Sequence, residues 1–122
     1  MNTLPKSERV SGKKSVSALM SKGRWGFVQD LKYCYLRNDS GDDAPHANRV
    51  MVSVPKRLFK RAVKRNLLKR RLREAYRTQK ELLPPSGTDV LLLYNTAEVL
   101  DYDTVAAQVA TILGKISDER QL

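Results

Sequence analysis

Eleven of the 23 Lys and Arg residues fall between Lys56 and Arg77, where Glu74 is the single acid. That segment holds the whole formal net charge of +10, because the other 100 residues set 12 basic side chains against 12 acidic ones. Charge spread evenly would read as a solubility device. Charge focused in one short stretch reads as a docking face for a polyanion, with nucleic acid the leading candidate. Bond-breaking chemistry has no comparable signal. His46 is the only histidine, so no imidazole pair exists for acid–base work. Asp42 and Asp43 lie beside it among turn residues and read as solvated carboxylates, since a magnesium site recruits phosphates or further oxygens. Cys34 is the only cysteine; it can form neither an internal disulfide nor a zinc site by itself, and reads as a small packed apolar residue.

The elements that must position this charge follow from periodicity. The 122 residues, 41% of them hydrophobic, are enough for one compact domain over 1–122, with polar tails at 1–7 and 117–122 expected to fray. Lys13–Lys22 reads as a helix stopped by Gly23, with Val16, Leu19 and Met20 on one face. Trp25–Arg37 reads as strand broken near Gln29–Asp30; beyond the break Leu31, Tyr33 and Tyr35 share one face, and Lys32, Cys34 and Leu36 the other. The run 38–48 is turn chemistry throughout and predicts an exposed loop.

Arg49–Val54 alternates Val50, Val52 and Val54 against Arg49, Met51 and Ser53, and Pro55 ends the pairing. A long helix is predicted from about Leu58 to Leu83, closed by a Pro-Pro-Ser-Gly stretch. Asp89–Tyr94 reads as a strand covered on both faces. Asp101 or Asp103 can cap a last helix with Val105, Val109, Ile112 and Ile116 at helical spacing. The expected architecture is α+β, in the order α-β-β-β-α-β-α. The amino terminus has no apolar run of the secretory kind, and the longest apolar run, Val90–Tyr94, is far below the ~20 residues a bilayer requires. The chain therefore reads as a cytoplasmic protein with no membrane partner.

At about 100° per residue, Arg65, Asn66, Lys69, Arg70, Arg73 and Arg77 of the long helix fall within an arc of about 140° that also holds Tyr76. Val63, Leu67, Leu68, Leu72 and Ala75 take the other half, so burial of that half would hold the basic stripe in place. Lys64 and Arg71 interrupt the apolar half; either their stems snorkel over the packing surface or part of that side is exposed. Like charges recur at i, i+4, and Arg70–Glu74 is the pair expected to offset them. A helix built for stability alone would interleave acids.

The run from Ala62 to Glu74, AVKRNLLKRRLRE, resembles the A-V-x-R-N-x-x-K-R-x-x-R-E signature of the bacterial ribonuclease P protein subunit. Ser53 with Lys56 and Arg57 is similar to that family's V-S-x-K-K segment, Asp89–Leu92 to its following strand, and Tyr102, Val105 and Val109 to the start of its last helix. The resemblance implies a four-stranded sheet with a left-handed β-α-β crossover, against the usual right-handed rule. It also implies a protein without catalytic residues of its own. A large partner, ribonuclease P RNA, would cut the 5′ leader from precursor tRNA with magnesium ions held mainly by RNA and substrate, and with no organic cofactor or small-molecule substrate.

On this resemblance, Lys56, Arg57, Lys60, Arg61, Arg65, Asn66, Lys69, Arg70, Arg73 and Arg77 contact the RNA. Arginine forks suit phosphate oxygens, Lys69 supplies a point charge, and Asn66 either binds RNA or bonds locally within the protein. A cleft between the first helix and the sheet would hold the leader, through Val16, Met20, Phe27, Tyr33, Cys34, Tyr35 and Ser53.

Departures from the family pattern bear on that cleft. Val16 and Met20 stand where the family often places aromatics, so stacking is either weaker or shifted to Trp25, Phe27, Tyr33 or Tyr35. If Tyr33 and Tyr35 enter the core, Cys34 lines the cleft. The common glycine before the long helix is replaced near Phe59–Lys60, which predicts a differently built turn. Two other classes compete: a general RNA-binding module such as a ribosomal protein, which accounts for the charge but not for the R-N-x-x-K-R setting, and a self-sufficient nuclease, which lacks the acid–base groups.

Overall fold

The computed structural model describes residues 9–10, 12–37, 48–83 and 87–120. Helix α1 (Lys13–Lys22) leads into strands β1 (Arg24–Val28), β2 (Leu31–Arg37) and β3 (Arg49–Ser53). Helix α2 (Ala62–Gln79), a short 3₁₀ turn (Lys80–Leu82), strand β4 (Thr88–Tyr94) and helix α3 (Tyr102–Arg120) follow. The order matches the expected α-β-β-β-α-β-α. Most of the expected loop at 38–48 lies outside the described residues, as do the tail at 1–7 and, with them, His46, Asp42 and Asp43. Helix α3 continues to Arg120, past Ser117, where fraying was expected.

The four strands form one mixed sheet in the order β1-β2-β4-β3. β1, β2 and β4 pair antiparallel, and β3 joins β4 in parallel through the crossover that contains α2. β1 and β2 meet at Gln29–Asp30, where Gln29 takes a left-handed φ of 47°. Helix α3 clamps that turn: the Asp30 N–H donates to Gln108 Oε1 and Gln108 Nε2 donates back to Asp30 Oδ2, both at 3.1 Å.

Strand alternation sends two sets of side chains to opposite faces. Leu31, Tyr33 and Tyr35 of β2, Val50 of β3 and Val90, Leu92 and Tyr94 of β4 pack with Leu68, Leu72, Ala75 and Tyr76 of α2 and with the apolar stripe of α3. On the other face a smaller cluster joins Val10, Leu19, Cys34 and Leu91, flanked by Val16, Leu36, Met51 and Leu93. Among the described residues, helix α1 and Val10 cover that side. The end of α1 needs a glycine for closeness rather than for a left-handed turn: Gly23 has φ −71°, and a Cβ there would sit 2.3 Å from both Cys34 Sγ and the Leu19 carbonyl oxygen.

Helix α2 begins at Ala62, four residues later than expected. Pro55 starts a turn whose carbonyl accepts from Leu58 N–H at 3.1 Å. Phe59 then drops into the core, edge-on to the Tyr94 ring at 5.7 Å. The last helix is capped by Asp101, whose Oδ1 accepts the Thr104 N–H at 2.8 Å. Between the two candidate caps, then, Asp101 takes the role.

Candidate nucleic-acid interface

The buried arc of α2 is rotated from the one the sequence suggests. Tyr76, expected on the basic side, is 1% exposed, while Val63, expected on the apolar side, is 80% exposed. The reason is tertiary: Leu68, Leu72, Ala75 and Tyr76 face the sheet and α3, whereas Val63 lies in the first turn, beyond the surface that α2 covers. Arg71 resolves toward snorkelling, its guanidinium donating to the Leu100 carbonyl at 2.6 Å, and Lys64 is exposed.

The basic stripe stays outside. Arg61, Asn66, Arg70 and Arg73 are exposed, and Lys69 and Arg77 half-exposed. Glu74 pairs with Arg77 at i+3, not with Arg70 as expected, the Arg77 Nε donating to its Oε2 at 3.1 Å. That guanidinium holds the Glu74 carboxyl below its ordinary range. Among the described residues no other ion pair involves α2. Its first turn has no acid and Arg61 provides no side-chain cap, so Lys60, Arg61, Lys64 and Arg65 crowd the end of the helix whose dipole is already positive. That is unfavourable for the protein alone and favourable for binding an anion.

Arg65 has a structural task that its spacing did not disclose. Its Nη1 donates to the carbonyls of Phe59 at 2.8 Å and Lys60 at 2.9 Å, tying the preceding turn to the helix. Lys56, Arg57 and Lys60 are exposed on that turn. At the edge of β3, Arg73 and Arg9 line a pocket of about 120 Å³ with Val10, Val50, Met51 and Val52. Arg9 had no signal in the sequence; it reaches the site through a parallel bridge to Val50.

The positions expected to hold a leader do not all share a face. Tyr33 and Tyr35 are 5% and 8% exposed beneath α3, stacked at 6.4 Å, with the Tyr35 hydroxyl donating to the Glu119 carboxylate. Burial raises the pKa of both phenols. β1 meets them through Gly26, where a Cβ would stand 2.5 Å from the Tyr33 ring. Cys34 does lie on the α1 side but is fully buried, donating to the Leu19 carbonyl at 3.1 Å, and burial pushes its thiol up to about 11.

Val16 and Ser53 are half-buried on the α1 side, while Met20 and Phe27 are open. Trp25 joins them on that side: it pairs with Cys34 across β1 and β2, and Phe27 pairs with Lys32. Opposed residues share a face, so β1 places both aromatic rings beside α1. Their alternation around Gly26 was the available signal.

Fold and charge together define a class: a single α+β layer protein that presents a cationic helix on one side and a partly uncovered sheet on the other. The family model described as Ribonuclease P matches residues 4–117. This chain belongs to the ribonuclease P protein family. It is 42% identical over 86 residues to a ribonuclease P protein component from Chlorobaculum tepidum, covering 67% of this chain and 54% of that one. It is 41% identical over 80 residues to one from Porphyromonas gingivalis, covering 66% of this chain. The matched stretch thus spans little more than half the length of those two relatives, at 54% and 57%. A component from Syntrophus aciditrophicus is 29% identical across 93% of this chain and 90% of its own. The fold is that of the Staphylococcus aureus RNase P protein (TM-score 0.73, 22% identity, 92% of this chain and 96% of that one). The Thermotoga maritima protein superposes equally well, with a TM-score of 0.73 over 88% of this chain.

Proposed function

We propose that this chain is the protein subunit of a cytoplasmic ribonuclease P. In this reading it grips the catalytic RNA with α2 and the turn before it, and it receives the 5′ leader of precursor tRNA on the sheet face beside α1. The RNA then hydrolyses the phosphodiester that releases the leader. The observation that carries the proposal is the α2 stripe, in which only Arg77 is countered by a carboxylate among the described residues. Arg70 and Arg73 can fork onto phosphate oxygens, Lys69 adds a point charge, and exposed Asn66 can donate or accept at a 2′-hydroxyl or base edge. Arg65 supports the grip by holding the Lys56–Lys60 turn against the helix.

The protein's part is to bind and orient. No group of three or more His, Cys, Asp or Glu side chains gathers among the described residues, so they offer no cluster to hold the magnesium. In this reading RNA and substrate mainly hold that ion. No helix of the described residues is long and apolar enough to cross a membrane.

The test is reconstitution. Mixed with a bacterial ribonuclease P RNA at low magnesium, the chain should restore cleavage of precursor tRNA. Lys69→Ala and Arg70→Ala should each lower the slope of log affinity against log salt for that RNA by about 1. Equal affinity for an unrelated structured RNA, with no rescue of cleavage, would establish the general RNA-binding module instead. Cleavage by the purified protein without RNA would overturn the division of labour.

A further inference from the structure

Three large apolar side chains stand open on the α1 side: Phe27 is 70% exposed, Met20 49% and Trp25 42%. The Trp25 indole N–H donates to the Met20 carbonyl at 3.3 Å, and Phe27 follows two residues on along the same face of β1. Contiguous apolar exposure of this kind marks a surface that something covers. Resting on the leader reading above, we propose that β1 carries the base-stacking platform of this protein: bases of single-stranded RNA stack on Trp25 and Phe27 at the rim of the cleft, rather than in its middle.

The middle is closed to bases. Cys34, at its centre, is sealed under the Leu19 carbonyl, Val16 is half-buried against the small cluster, and Tyr33 and Tyr35 belong to the opposite face. The rim, in contrast, is preorganised. The indole is held at its N–H by α1, and Lys32 Nζ lies 5.7 Å from its ring centroid. An exposed aromatic beside a lysine offers a base a π-face and its phosphate a counter-charge.

The surrounding charge selects an anionic occupant. α1 and β1 contain no acid, while Lys13, Lys14 and Lys22 extend along α1. The single acid that β2, β3 and β4 direct to this side, Asp89, is 4% exposed and already held by Arg49 through two hydrogen bonds of 2.7 Å. A basic or purely apolar protein partner would find no such complement, and an acidic one would lack the flat bases that stack on two open rings.

The experiment uses the holoenzyme rebuilt from full-length chain and a bacterial ribonuclease P RNA, with precursor tRNA, mature tRNA, and precursor whose leader bases are replaced by abasic sites. Phe27→Ala, at a site too exposed to threaten folding, should weaken precursor binding about tenfold or more and leave mature tRNA unchanged. The abasic leader should weaken the unmodified protein by a similar factor and add little to Phe27→Ala. Trp25 is the only tryptophan, so its emission reports the contact directly and should be quenched by a single-stranded oligoribonucleotide more than by a duplex of equal length. Equal losses on both tRNAs, indifference to abasic sites, or unquenched emission at saturation would overturn the platform. So would a dimer that dissociates on Phe27→Ala with leader affinity intact, because a second copy would then be the occupant. Assembly and cleavage by the unmodified holoenzyme are scored in parallel. Their failure strikes the functional reading; their success with unchanged leader affinity strikes the platform alone.

Discussion

The two faces of the sheet are made by the same four strands and have opposite fates. The face under α2 and α3 is a core: Leu31, Val90, Leu92 and Tyr94 are fully buried there, and the helices above them supply Leu68, Leu72, Val105, Val109, Ile112, Leu113 and Ile116 at no measurable exposure. Among the described residues, the face under α1 receives Val10 and one helix of ten residues, too short to cover four strands. Apolar surface remains open beside it at Met20, Trp25 and Phe27. A sheet covered by two long helices is sealed and serves stability. One covered by a single short helix keeps a rim on which a ligand can complete the burial.

The sharpest way to break that comparison uses two consecutive residues of β4. Leu92 points into the sealed core and Leu93 toward the α1 side. Leu92→Ala should cost ~2–5 kcal/mol and Leu93→Ala under about 2, read as midpoints of urea unfolding. Equal costs would show that the two faces are equally packed. Next in size is Arg49→Ala. It leaves the buried Asp89 carboxylate without its guanidinium and should cost roughly 2–3 kcal/mol, the partial exposure of Arg49 lowering it from the fully buried case. A loss near zero would show that water already solvates Asp89.

The smallest effect belongs to Asp101. The Thr104 side chain, and then its backbone N–H, hold this exposed carboxyl below its ordinary value. A lowered carboxyl pKa stabilises the fold above the unfolded value, near pH 4, and that stabilisation disappears as pH falls through the folded value. Asp101→Asn should therefore flatten the acid limb of a melting-temperature profile slightly and leave the neutral region nearly unmoved. An unchanged acid limb would mean that the cap carries no charge-dependent part.

Much of the sealed face was legible because its signals are periodic and local. The helical spacing from Val105 to Ile116 points to the stripe that is found buried, and the alternation of Leu31, Tyr33 and Tyr35 puts them on one face without saying which. The rotation of α2 was not legible. Val63 and Tyr76 are both apolar enough to be buried, and only the placement of α3 and the sheet decides which of them meets the core. The Arg65 bonds to Phe59 and Lys60, and the choice of Arg77 over Arg70 as partner for Glu74, depend on side-chain reach across a particular turn and carry no spacing signature.

By itself, the order of residues determined the element sequence, the concentration of cation on one helix and the kinship carried by RNxxKR, since these follow from neighbours along the chain. Tertiary structure decided which strand face stays open, that Cys34 is sealed while Trp25 and Phe27 are not, and how far α2 turns its cations outward. Those outcomes depend on which surfaces compete for the same cover, and that competition exists only once distant segments meet.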